Sequence, residues 1–93
     1  MSKPAFANKP VKVEVGEAEF TFTPTVLDTN NYSNSVGVDN KVAPARTYLE
    51  RTVAKDQKEA LVELLNTVPG LVMELFGTVY NASKGGITIT LKN

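Results

Sequence analysis

The chain has 93 residues, enough for one domain and one modest core but not for two domains. Apolar residues make up 42% of it, which excludes a chain disordered by composition. Ten Lys plus Arg balance ten Asp plus Glu, which argues against a nucleic-acid or anionic-membrane partner, since both require a basic surface. There is no Cys, hence no disulfide framework and no thiolate metal site. There is no His either, which removes the usual general base and zinc ligand near neutral pH. The expectation is a protein that is not an enzyme, uses no cofactor or metal, and crosses no membrane.

Residues 1–10 are small and polar, with Pro4 and Pro10. They read as a flexible lead-in and carry no apolar stretch of signal-peptide type. From residue 11 to 93 the pattern is that of a single α+β domain. Val11, Val13 and Val15 alternate with Lys12 and Glu14, while Ala18, Phe20 and Phe22 alternate with Glu19 and Thr21. Gly16-Glu17 between them is a two-residue hairpin turn signal. That turn sets Val15 against Ala18, Val13 against Phe20 and Val11 against Phe22, with all six apolar side chains on one face. Glu14 then faces Glu19 on the wet side, a mildly unfavourable pair.

Thr23-Pro24 reads as a helix N-cap followed by Pro at the first helical position. Val26 and Leu27 begin an apolar stripe that Tyr32 and Val36 continue. Asn30, Asn31, Ser33, Asn34 and Ser35 make the helix weak, and Gly37 ends it. Residues 38–41 form a loop. Ala43-Pro44 opens a second helix, with Ala45, Tyr48, Leu49 and Thr52 or Val53 near one face.

Asp56 and Glu59 fit a capping box for a third helix. Its stripe is Ala60, Leu61, Leu64, Leu65 and Val68. Pro69 stops that helix and suits the first turn of a fourth. Leu71, Val72, Leu75, Phe76, Val79 and Tyr80 form the fourth helix's apolar side, and Gly85-Gly86 ends it. Ile87, Ile89 and Leu91 alternate with Thr88 and Thr90 as a last strand. The expected fold is an N-terminal β-hairpin, about four short helices and a C-terminal strand. That strand completes a small antiparallel or mixed sheet, covered by the third and fourth helices. Either edge of such a sheet can accept a strand from a neighbouring chain, so self-association is open.

No pair of carboxylates stands out as an acid/base couple. Arg46 and Glu50 lie four apart and suit a surface ion pair. Gly85-Gly86 lacks the spacing and the Lys-Ser/Thr of a phosphate loop. Residues 71–76 are apolar on more than one side. This suits a helix packed between the sheet and other helices. The other reading is an apolar strip that docks a partner helix, with Leu71, Met73 and Phe76 as candidate partner-binding residues. Tyr32, within its Asn/Ser-rich segment, is either part of a polar recognition surface or the solvated end of a helix.

Several strings carry a resemblance. They are Phe20-Thr21-Phe22-Thr23-Pro24-Thr25-Val26-Leu27-Asp28, then Asp39-Asn40-Lys41-Val42-Ala43-Pro44-Ala45, then Leu49-Glu50-Arg51-Thr52-Val53 and Lys58-Glu59-Ala60-Leu61. Together they resemble a family of small bacteriophage tail assembly chaperones, from phages and prophages of Gram-negative bacteria, over most of the chain from about Val11 to Leu91. The resemblance implies a protein that acts in the host bacterial cytoplasm and is missing from the finished virion. Its implied partners are the tape measure protein, which it coats transiently, and the tail tube subunits that it recruits. A different reading is a structural tail component that stays in the virion and assembles through sheet edges. The family is often made in two lengths, so the resemblance also implies a longer, frameshifted form. Lys92 and Asn93 are compatible with an A-rich slippery run in the gene. The resemblance supplies no residue-level binding motif.

Overall fold

A computed structural model describes residues 10–83. Strand β1 (Val11–Val15) pairs antiparallel with β2 (Ala18–Phe22). The register is the expected one: Val11 with Phe22, Val13 with Phe20, Val15 with Ala18, and Glu14 across from Glu19. Gly16 takes φ +63°, a left-handed conformation that only Gly adopts without strain, and this closes the turn. Phe20 and Phe22 are buried completely, whereas Val13, Val15 and Ala18 are only partly covered.

The far edge of β2 is closed by residues 52–57. Phe22 bridges Val53 in antiparallel fashion. The Thr23 N–H donates to the Thr52 carbonyl at 2.8 Å, and the Ala54 N–H donates to the Thr21 carbonyl at 2.9 Å. The Gln57 side chain continues the ladder: its Oε1 accepts from the Thr21 N–H at 2.8 Å and its Nε2 donates to the Glu19 carbonyl at 3.3 Å. A primary amide offers the same donor and acceptor as a peptide group, so one side chain stands in for a strand residue. The expected C-terminal strand, residues 87–91, and the Gly85-Gly86 stop lie outside the described residues; those described hold a two-stranded sheet.

Helix α1 (Val26–Ser35) starts two residues later than expected, with Thr25 as N-cap. The Thr25 Oγ1 accepts from the Asp28 N–H at 3.1 Å, and the Asp28 carboxylate accepts from the Thr25 N–H at 3.1 Å. Thr23 has Val26 three residues on, which cannot reciprocate, and its own N–H is used by Thr52. Pro24 therefore sits buried ahead of the cap and holds Thr23 extended, outside the helix. A second correction concerns Val26 and Leu27. They face solvent, 77% and 61% exposed. The inward face runs through Asp28, Thr29, Tyr32 and Val36, and Leu27 lies about 140° round the helix from Tyr32. Beyond α1, Gly37 and Asn40 exchange two backbone hydrogen bonds around a tight turn with Val38 at its tip.

Helix α2 (Val42–Thr52) buries Ala45, Tyr48, Leu49 and Thr52. Pro44 fits its first turn, where no helix carbonyl waits for its missing N–H. Arg46 pairs with Glu50 at 2.6 Å. A 3₁₀ turn over Lys55–Gln57 leads into α3 (Lys58–Thr67), and the expected Asp56–Glu59 capping box does not form. The N-cap position belongs to Gln57, whose side chain is committed to β2, and Asp56 stands one residue too early. Helix α3 buries Leu61 and Leu65, while Ala60 and Val68 of the expected stripe are exposed. Gly70, at φ +77°, is the N-cap of α4 (Leu71–Ala82). Pro69 thus lies in the connecting turn and not in the first turn of α4.

Helix α4 packs against α2, α3 and β1, and α1 lies on α2. Tyr32, Tyr48, Phe76 and Tyr80 meet in one cluster whose ring centroids are all 4.4–6.3 Å apart. Edge-to-face and offset pairs of this kind add to simple burial. All three tyrosines of the chain are spent here, joining α1, α2 and α4.

Candidate groove at the α3–α4 turn

The chain breaks between α3 and α4 at Val68-Pro69-Gly70. Pro69 cannot continue a helix, and Gly70 supplies the positive φ that turns the backbone into α4. The break leaves Val68 at the surface, next to the first turn of α4 on one side and the start of α2 on the other. The result is a groove of about 260 Å³ lined by residues 65–70 with Val42, Val72 and Met73. No charged side chain lines it. Six large apolar side chains among the described residues are notably exposed, and three of them are here: Val42 at 53%, Val68 at 40% and Met73 at 38%. The other three, Val26, Leu27 and Val38, sit on α1 and the turn after it.

The structure separates the three residues singled out in the sequence. Met73 opens into the groove. Phe76 is buried among the tyrosine rings. Leu71 is half-buried and lines a different gap, beside Val13 and Val15 of β1. Positions i, i+2 and i+5 do not share a helix face, so no single strip contains all three. Val42 and Val68 were not singled out. A Val immediately before Pro-Gly was the available signal for the second, because a chain break at that point strips an apolar side chain of its helical neighbours.

Polar groups gather elsewhere, in a cleft of about 240 Å³ between α1 and α2, where Asp28, Asn31, Asn40 and Arg51 surround the edges of Tyr32 and Tyr48. Their chemistry is structural. Asp28 caps α1 and stands 3.6 Å from Arg51, and Asn40 Nδ2 donates to the Ser35 carbonyl. Burial pushes the Tyr48 phenol up from its ordinary value, and nearby Ser83 and Thr29 pull it partly back. The hydroxyl itself is buried, with the Ser83 and Thr29 side chains near it but no hydrogen bond of good geometry among the described residues. Among the described residues no group of three His, Cys, Asp or Glu side chains is placed to hold a metal ion. No described helix is long and apolar enough to cross a membrane.

The model of a protein family described as phage tail assembly chaperone matches residues 11–93. The chain belongs to the phage tail assembly chaperone family. A relative of this tail assembly chaperone is an uncharacterized 11.3 kDa protein of Haemophilus phage HP1 (strain HP1c1), from the lys 3′ region. The two are 36% identical over 83 residues, which is 89% of this chaperone and 80% of the relative. No solved structure matches the chaperone. The matched span takes in every described element from β1 to α4, so the groove belongs to the family's own domain and not to an appendage.

Proposed function

We propose that this chaperone binds the tape measure protein transiently during tail assembly in the host cytoplasm, holds it soluble, and helps to recruit tail tube subunits. The observation that carries the proposal is the groove: uncharged, lined by exposed Val42, Val68 and Met73, in a member of a tail assembly chaperone family. A long helical protein with an apolar stripe aggregates unless the stripe is covered. A shallow apolar groove suits one turn or two of such a helix, in the helix-in-groove manner. Weak binding at each groove is sufficient, because many copies act along one chain. Met73 contributes an adaptable side chain, which suits successive segments of differing sequence. Leu71 and Phe76 act from behind, Phe76 by fixing α4 against the tyrosines.

No step in this role needs a catalyst, a cofactor, a nucleic acid or a membrane. A longer frameshifted form, if the gene carries an overlapping frame, adds the tube-binding part. The other reading is a structural tail subunit assembling through sheet edges. It draws on the outer edge of β1, which is unpaired among the described residues. Mass spectrometry of purified virions separates the two. A chaperone is absent or present in traces, and a structural subunit is present in many copies per particle, which would overturn the proposal.

A further inference from the structure

Helix α1 is held to the described body of the protein by few contacts. Only Asp28, Thr29 and Tyr32 of its ten residues are even partly covered. Val26 and Leu27 face solvent. The capping box is local to the helix start and ties it to no other element. The ion pair of Asp28 with Arg51 of α2 is long, at 3.6 Å, and Arg51 is exposed, so it holds weakly. The principal anchor is one ring: the Tyr32 centroid lies 4.4 Å from that of Phe76, 5.9 Å from Tyr80 and 6.3 Å from Tyr48. Both flanks of the helix are fixed. The Thr23 N–H donates to the Thr52 carbonyl, and Gly37 exchanges two hydrogen bonds with Asn40. Residues 24–36 can therefore swing out as a strap without unravelling the sheet or α2.

Beneath the strap, Tyr48 of α2 and Phe76 of α4 are buried, and with Tyr80 they form an aromatic socket that accepts a ring presented by a helix. Helix α1 fills its seat incompletely. A cleft of about 240 Å³ stays open between α1 and α2, lined by Asn31 and Ser35 on one side and by Ala43, Pro44 and Tyr48 on the other. Positions 31 and 35 are four apart and share a helix face. A helix with an aromatic side chain in the place of Tyr32, and apolar ones one residue before it and three after, fills socket and cleft together.

We propose that α1 is a displaceable strap over a second docking site, the Tyr48–Phe76–Tyr80 socket, and that an aromatic-bearing helical segment of the tape measure protein replaces α1 there. The identity of this occupant rests on the function proposed above; its chemistry is set by α1, the helix that now sits in the socket. The site is separate from the α3–α4 groove, with which it shares no lining residue. Because α1 has to leave first, the apparent affinity for the partner is reduced by the fraction of molecules in which the strap is open. Weakening α1 therefore strengthens binding, the opposite sign to that of an ordinary contact.

Peptide binding tests the socket without the tape measure protein. The probe is a synthetic peptide of residues 23–37 carrying Asn31→Leu and Ser35→Leu. It is expected to bind Tyr32→Ala, whose own α1 is released, at least about tenfold more tightly than the parent protein. The same peptide with Tyr32→Ala is expected to bind at least about tenfold more weakly. Should the Tyr32→Ala protein fail to fold, Asp28→Ala, which removes the cap and leaves the socket intact, is expected to bind the probe about fivefold more tightly than the parent. Equal binding to released and parent proteins, or binding to neither, overturns the socket. Hydrogen exchange on the full chain then tests the occupant. The α1 amides are expected to exchange at least about tenfold faster once the tape measure protein is bound, while those of α2 and α4 slow. Unchanged or slower exchange in α1 overturns the replacement. Capture of the tape measure protein by neither the parent nor Tyr32→Ala overturns the occupant together with the function proposed above, and peptide binding still decides the socket.

Discussion

Phe20 occupies the centre of the apolar row on β2 and keeps 1% of its surface in contact with solvent. Phe20→Ala leaves a cavity that neighbouring elements cannot fill, and is expected to cost about 3–5 kcal/mol in a urea melt. A loss below about 1 kcal/mol would place Phe20 outside the core and break the register. Tyr48 is the opposite case, a ring well used and a hydroxyl buried with no hydrogen bond of good geometry among the described residues. Tyr48→Phe keeps the ring contacts and removes the stranded polar atom, so stability at pH 7 is expected to stay level or rise by about 1 kcal/mol. The pH dependence follows from the raised phenol pKa. The folded state holds Tyr48 protonated above the pH at which the unfolded chain releases its proton. That contribution is complete below about pH 10 and fades as pH rises through the raised value. Melts between pH 9 and 11 are expected to show a smaller alkaline loss in Tyr48→Phe than in the parent protein.

Helix α1 has no fully buried residue of its own. Its Asn and Ser residues are poor helix formers, and the capping box with Tyr32 is what holds it. Tyr32→Ala is expected to release α1 locally: its amides exchange fast while those of α2 and α4 stay protected. Loss of protection throughout would mean that α1 is integral to the core. Gln57 makes a similar point for the sheet edge. Gln57→Ala removes two hydrogen bonds to β2 and is expected to cost about 1–2 kcal/mol. Glu59→Ala, in the capping box that does not form, is expected to change stability by less than about 0.5 kcal/mol. The hairpin was legible in the sequence down to its register, because a period of two and a Gly-first turn constrain each other. The helix starts were less so. Thr23-Pro24 and Asp56 through Glu59 both offered cap chemistry, but tertiary hydrogen bonds claimed both first, Thr23 to Thr52 and Gln57 to Thr21 and Glu19. Nothing local reveals that a glutamine side chain will finish a strand's ladder 36 residues upstream.

At the scale of the molecule, two groups of exposed apolar side chains stand out among the described residues: the groove at the α3–α4 turn, and Val26, Leu27 and Val38 on α1 and the turn after it. The groove was only partly visible in the sequence. Met73 stood out as surplus to one helix face, but Val42 arrives from a different helix and Val68 from a chain break, and only the packing of α2 against α4 assembles them. The family was legible from strings spread over the chain, most of them in positions that build the fold. The central claim, that the groove captures an apolar helical partner, is tested most directly by co-purification of the tape measure protein from the same phage genome. The protein is compared with Met73→Glu, which places a charge in an uncharged groove at a position exposed enough to spare the core. The expected result is a soluble complex with the parent protein and at least about tenfold less partner retained by Met73→Glu, a loss of some 1.4 kcal/mol or more, with an unchanged thermal melt. Undiminished capture by a folded Met73→Glu would contradict the groove as the docking surface.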